Sequence, residues 1–149
     1  MELIIQPDKN SAALLVARII AHELRAKPDL TLGLATGRTM EAVYSLLVKM
    51  HREDSLDFSY CRTFNLDEYV GLAAEHPNSY RFYMNEKFFK HVNINLRNTH
   101  LPNGMAGNLD EECAQYEQRI NDAGGIDLQL LGLGKAGHIG FNEPLSALR

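Results

Sequence analysis

The sequence predicts an α/β domain on a doubly wound, mostly parallel sheet, Rossmann-like and arranged as three α/β/α layers. Three observations lead there. Short apolar runs bounded by glycine or polar turns recur between longer stretches whose apolar residues repeat at helical spacing. The two kinds of segment alternate, as strands joined by crossover helices do. Three of the runs end in turns rich in Gly, Thr, Asp and His, beyond strand ends where open α/β sheets bind ligands.

The elements follow in order. Glu2–Gln6 is a short strand candidate. From about Asn10 to Ala26 the polar residues Ser11, Arg18, His22 and Arg25 recur at helical spacing, and most other positions are apolar. That pattern predicts a helix with a wide buried face. Asp8 or Asn10 can cap its start, and Pro28 marks its exit. Leu30–Ala35 (LTLGLA) is the next strand, followed at once by Thr36, Gly37, Arg38 and Thr39. A helix with apolar Met40, Val43, Tyr44, Leu47 and Met50 then runs to about Arg52. A strand, a glycine turn and a helix N-terminus gather free backbone N–H groups and the positive end of a helix dipole at one point. The threonine hydroxyls and the Arg38 guanidinium add donors suited to a phosphate. A capped βα turn without any ligand has the same local pattern.

Tyr60–Leu66 is a strand that delivers Asp67, Glu68 and Tyr69. Acidic residues in such a place are a helix cap, a solvated loop or site chemistry. Extended backbone would turn Glu68 away from Asp67, so the chemistry falls to Asp67, with Tyr69 in support. His76–Ser79 opens a helix whose aromatic side, Tyr80, Tyr83, Met84, Phe88 and Phe89, reads as core or subunit contact. Thr99–Pro102 is a short extended piece and Asn103-Gly104 a turn. Asn108 caps a helix to about Ala123, with Glu111 as its capping-box partner. After Gly124-Gly125, the run Ile126–Leu133 reads as a buried parallel strand. It ends in a turn with Gly134, Gly137 and Gly140, and His138, Asn142 and Glu143 sit among and just beyond these glycines. No helix is predicted after this strand. The expectation is a single domain over 1–149, incomplete at its C-terminus, or an oligomer that supplies the missing layer.

Composition narrows the function. A net charge of -4 with no Lys/Arg cluster argues against nucleic acid. The apolar runs are too short for a membrane span, and Met1–Gln6 does not read as a signal peptide. Two distant cysteines, Cys61 and Cys113, read as buried or half-buried free thiols of a cytoplasmic protein. His22, His51, His76, His91 and His100 lack a second ligand at metal spacing, and His138 with Glu143 lacks a third, so no metal is expected.

If the strands are parallel, the turns at Thr36–Thr39, Asp67–Tyr69 and Gly134–Glu143 lie on one sheet edge and converge. Their sequences, LGLATGRT, FNLDEYVGL, HPNSYRFYM and LGLGKAGHIGFNEP, resemble the glucosamine-6-phosphate deaminase (isomerase) family through essentially the whole chain. Members of that family are substantially longer, so the likeness is to their N-terminal part. The resemblance implies conversion of glucosamine 6-phosphate and water to fructose 6-phosphate and ammonia, within N-acetylglucosamine catabolism and without cofactor. It makes Asp67 the group that moves a proton between C2 and C1, His138 the promoter of ring opening, and Glu143 its partner. It gives Thr36, Gly37, Arg38 and Thr39 the phosphate. Tyr69, Gly137 and Asn142 read as supports, with Tyr69 and Asn142 equally readable as packing and turn residues.

These residue types suit the chemistry. A proton shuttled α to a carbonyl needs one carboxylate within reach of both carbons. Ring opening needs a group that exchanges a proton near neutrality, and a carboxylate beside an imidazole fixes its tautomer. The chain departs from the family at Ala136, where many members carry aspartate and others an uncharged residue, and at Arg38 and Met40, where a small residue and Pro are usual. The family's C-terminal phosphate-clamping residues have no counterpart. Two alternatives stay open. One is a related sugar-phosphate enzyme, a 6-phosphogluconolactonase or aldose-ketose isomerase; the other is a non-catalytic sugar-phosphate-binding module.

Overall fold

The computed structural model describes residues 2–142. Its elements in chain order are α1 (Lys9–Ala26), β1 (Thr31–Leu34), α2 (Arg38–Asp54), β2 (Arg62–Asn65), α3 (Tyr80–Lys87), β3 (Thr99–His100), α4 (Leu109–Asp122) and β4 (Leu128–Gln129). The strands form one sheet of order β3-β2-β1-β4, and every pairing is parallel. Consecutive strands are therefore joined by crossovers, each carrying a helix, as the alternation of apolar runs and helical stretches predicts.

Register decides which residues meet which helix. Leu32 aligns with Thr63, Gly33 with Phe64 and Leu34 with Asn65. Side-chain alternation sends Leu32 and Leu34 to one face, into a core with Ala17, Ile20 and Leu24 of α1, Val43 and Leu47 of α2 and Met84 of α3. Each such leucine stabilises the fold by roughly 1.5–3 kcal/mol on burial. Phe64 takes the opposite face, where it stacks on His100 and meets Tyr116 of α4 edge-on. Helices on both faces of a parallel sheet make the three-layer α/β arrangement.

Local chemistry sets the helix starts. Asp8 Oδ1 accepts the amides of Asn10 (2.8 Å) and Ser11 (2.9 Å), so Asp8 is the cap of α1. Ser79 Oγ accepts from the Phe82 amide at 3.0 Å, and Asn108 Oδ1 from the Glu111 amide at 3.2 Å. The capping box of α4 is only half made. The Glu111 carboxylate accepts from the Gln115 side chain instead, an i,i+4 contact available to any exposed helical pair. At the far end of the sheet, Asp127 joins β4 to β1: it accepts the Thr31 amide at 2.9 Å and pairs with Lys27 at 2.7 Å.

Three expectations are corrected. Glu2–Gln6 is not a strand, and Leu3, Ile4 and Ile5 are exposed. β-Permissive residues become a strand only where an edge accepts them, and among the described residues none does. The last strand is shorter and wetter than Ile126–Leu133: only Leu128–Gln129 pairs with β1, and Leu131 and Leu133 are exposed. Among the described residues β4 has β1 alone as neighbour, so it is an edge strand, whereas its run of apolar residues reads as a central one. Finally, Cys61 is buried and Cys113 exposed on α4, both as free thiols.

Candidate active site

The first wall of the site is the turn between β1 and α2. Gly37 caps α2 with φ +116°, a left-handed conformation that a side chain would strain. No side chain caps the amides that open α2. Two tyrosines pin the turn from behind: the Tyr44 hydroxyl donates to the Ala35 carbonyl, and the Tyr83 hydroxyl to the Gly37 carbonyl at 2.9 Å. Burial pushes the Tyr83 phenol up to about 12, so it stays a neutral donor. The result is a rigid, uncapped helix start with exposed Gly37, Arg38 and Thr39, the arrangement that binds anions.

The second wall leaves β2. The Leu66 amide donates to the Leu34 carbonyl at 3.3 Å, one last link to β1, and Asp67 follows half-buried. Burial, and then the Glu68 charge beside it, raise the Asp67 carboxyl above its ordinary value. Glu68 turns away, as extended backbone predicts. Its Oε1 accepts the amides of Tyr69 and Tyr80, both at 2.8 Å, and its Oε2 the amide of Arg81 at 2.9 Å. Tyr80 enters the site from α3. Its hydroxyl donates to Tyr69 Oη at 3.1 Å and hydrogen-bonds the Thr36 side chain, and desolvation raises it to about 12.

The third wall follows β4. The Gly134 amide donates to the His138 carbonyl at 2.9 Å, and the Gly137 amide to the Gly134 carbonyl at 2.9 Å. Gly137 and Gly140 have φ of +84° and +58°, which bends the chain back on itself. Asn142 closes the return, its amide and side chain both donating to the Ile139 carbonyl. The Nε2 end of the His138 imidazole comes so close to Gly134 that a Cβ at residue 134 would sit 2.1 Å from Nε2.

The three turns enclose one cavity of about 290 Å³, lined by Thr36, Gly37, Arg38, Thr39, Asp67 and His138 together with Tyr80. Of the residues singled out in the sequence, these six converge as predicted. Tyr69 stands one step away, tied in through the Tyr80 hydroxyl. Gly137 and Asn142 shape the His138 turn without lining the cavity. Glu143 lies outside the described residues. Sequence reasoning missed Tyr80 and Tyr83, whose helical spacing was indistinguishable from a core stripe. The signal was there in part: the first turn of a crossover helix starts beside the carboxyl edge of the sheet. Among the described residues no group of three or more His, Cys, Asp or Glu is placed to hold a metal.

A phosphate-suited helix start, an elevated carboxyl and an imidazole around one cavity define a class of chemistry, and comparison with known proteins assigns the family. The family model of glucosamine-6-phosphate isomerases/6-phosphogluconolactonase matches residues 9–140. The chain belongs to that family. It is 50% identical over 148 residues to a glucosamine-6-phosphate deaminase of Clostridium perfringens, covering 99% of this chain and 61% of the relative. It is 50% identical over 144 residues to the deaminase of Halothermothrix orenii, covering 97% of this chain and 60% of that protein. A solved monomeric glucosamine-6-phosphate deaminase superposes with TM-score 0.94 at 44% identity, over 99% of this chain and 61% of the other. A 6-phosphogluconolactonase from Thermotoga maritima shares the fold, with TM-score 0.73 at 22% identity over 93% of this chain and 62% of its own. The chain thus spans about three fifths of the length of the deaminases it matches. No helix among the described residues is long and apolar enough to cross a membrane.

Proposed function

We propose that residues 1–149 form one sugar-phosphate isomerase/deaminase-type domain that converts glucosamine 6-phosphate and water to fructose 6-phosphate and ammonia. The observation that carries this reading is the placement of Asp67. Its half-buried, elevated carboxyl faces the same cavity as the Thr36–Thr39 helix start and the His138 imidazole. The phosphate docks on the amides that open α2, with the Thr36 and Thr39 hydroxyls and Arg38 as further donors. Anchoring that remote group positions C1 and C2 of the open-chain sugar over Asp67.

In this reading His138 promotes ring opening by exchanging a proton with the ring oxygen and the C1 hydroxyl, and Glu143 orients its imidazole. Asp67 then takes the proton from C2 and returns it to C1, which converts the amino aldehyde to a C2 imine. Water adds to the imine, ammonia leaves, and the ketone of fructose 6-phosphate remains. An acid-base carboxylate serves best when its pKa moves toward the working pH, the direction in which burial moves Asp67. Gly137 and Asn142 support His138, and Tyr69 supports Tyr80. No step calls for a metal or organic cofactor. The setting would be cytoplasmic amino-sugar breakdown, with a hydrolytic release of ammonia.

The family also contains lactonases, whose reaction is a hydrolysis without proton transfer between carbons. The half-identical deaminases, matched over nearly the whole chain, favour the deaminase reading. Offering the purified chain glucosamine 6-phosphate and 6-phosphogluconolactone in parallel decides between them. Ammonia and fructose 6-phosphate in equal amounts support deamination; consumption of the lactone alone, or of neither compound, overturns it.

A further inference from the structure

We propose that Glu68 is a positioning residue: its carboxylate splints the Asp67 turn to the first turn of α3, and so fixes Asp67 and Tyr80 against the same cavity. The geometry is economical. One carboxylate accepts three backbone amides, from Tyr69 on its own turn and from Tyr80 and Arg81 at the start of α3, all within 2.8–2.9 Å. A helix leaves its first amides without partners inside the helix. In α3 the first two go to Glu68 and the third, Phe82, to Ser79 Oγ. A carboxylate at a helix N-terminus is also favoured by the helix dipole. Segments twelve or more residues apart in the chain are thereby held as one piece.

The consequence for the site follows from what is attached to each end of the splint. Asp67 directly precedes Glu68 and is held from the other side by the Leu66–Leu34 link. Tyr80, whose amide Glu68 accepts, sends its side chain into the cavity that Asp67 lines and bonds Thr36 of the opposite wall. Arg81, the third donor, continues the brace into β3 through Thr99 Oγ1 at 2.7 Å and the Thr99 carbonyl at 2.8 Å. Gly104 seats the far side of the same turn: its carbonyl accepts from Gly71, and a Cβ there would lie 2.1 Å from the Tyr69 carbonyl oxygen. A free carboxylate placed on an adjacent residue for charge alone would not be committed to three amides.

Glu68 also acts on Asp67 through its charge, which adds to burial in raising the Asp67 carboxyl. The other titratable or charged groups lining the cavity with Asp67 are Arg38 from α2, Tyr80 from α3 and His138 from the glycine turn. Of these, Tyr80 alone is tied to Glu68, through its backbone amide, while Arg38 and His138 stand on other walls.

The inference rests on the deaminase reading for its kinetic readout, and the test keeps the two apart. Glu68→Ala, Glu68→Gln and the unmodified chain are compared for ammonia release, with kcat and KM resolved, and for the Asp67 carboxyl titration by carbon-13 NMR. Glu68→Ala is expected to lose about 100-fold in kcat with KM changed far less, because Asp67 is displaced directly while the phosphate loop feels Glu68 only through the Tyr80–Thr36 hydrogen bond. Glu68→Gln keeps an oxygen for the Tyr69 and Tyr80 amides and is expected to recover about tenfold of that loss. Its Asp67 midpoint moves down, since the neighbouring charge is gone. A Glu68→Ala chain that folds and retains kcat within about twofold overturns the proposal. Should the unmodified chain release no ammonia, the deaminase reading fails. The splint is then decided by hydrogen exchange at the Tyr69, Tyr80 and Arg81 amides, and protection unchanged in Glu68→Ala overturns it.

Discussion

Replacing Gly134 with alanine isolates the contribution of His138 placement. A Cβ at residue 134 would lie 2.1 Å from His138 Nε2, 2.2 Å from Cε1 and 2.7 Å from Cδ2. Ordinary contact begins near 3.4 Å, so the imidazole must retreat by about 1.3 Å. The obstructing atoms are the tip of a side chain, which swings aside at small cost to folding. Gly134 itself is absent from the positive-φ glycines, unlike Gly137 and Gly140, so alanine meets no backbone strain there. The substitution therefore moves the His138 ring, the proposed proton-exchanging group, by more than an ångström and little else. A misplacement of that size costs about 100-fold in rate, or about 2.7 kcal/mol of barrier. The assay is steady-state ammonia release from glucosamine 6-phosphate, with thermal unfolding as the control. Expected are a kcat about 100-fold lower, KM within about threefold and an almost unmoved unfolding midpoint. A Gly134→Ala chain with kcat within about threefold of the parent would refute the placement argument, because the ring would then be free to move without consequence.

Two further outcomes follow from the geometry. Arg38→Ala removes an exposed guanidinium from the cavity rim and should weaken phosphate affinity about tenfold, read as KM or as inorganic phosphate inhibition; unchanged affinity would mean that Arg38 points to solvent. Asp127→Asn severs the Lys27 pair and weakens the bond to the Thr31 amide, and because the pair is solvent-exposed should lower stability by about 0.5–1 kcal/mol in urea unfolding. The Asp127 carboxyl is held low, first by the Lys27 hydrogen bond and then by the Thr31 amide. Its stabilisation is therefore present above the ordinary carboxylate pKa and lost as pH falls through the depressed one, so the difference between parent and Asp127→Asn should vanish in acid.

Much of this architecture was legible in the sequence, for physical reasons that differ from element to element. Asp8, Asn108 and the apolar spacing of α1 and α2 act within a few residues, so local reading finds them. The convergence of Thr36–Thr39, Asp67 and His138 was legible because parallel strands must deliver their carboxyl ends to one edge. What local reading missed depends on partners distant in the chain. Glu2–Gln6 has strand composition but pairs with no strand among the described residues. Ile126–Leu133 has the composition of a central strand, yet among the described residues its short paired piece lies at the edge. Tyr80 and Tyr83 have the periodicity of core residues. Only the crossing of α3 over the sheet brings their hydroxyls to Tyr69 and Thr36 and to the Gly37 carbonyl. Glu111 satisfies the capping-box spacing, but Gln115 one turn later competes for its carboxylate.

The central claim is that Asp67 moves the proton, and Asp67→Asn tests it most directly. The substitution keeps the side-chain shape and removes the base. Ammonia release from glucosamine 6-phosphate should be readily measured in the parent chain. In Asp67→Asn it should fall by about 100-fold or more, with binding of the sugar phosphate retained. Turnover undiminished in the asparagine variant would contradict the account at its root, and the cavity would then need a different base.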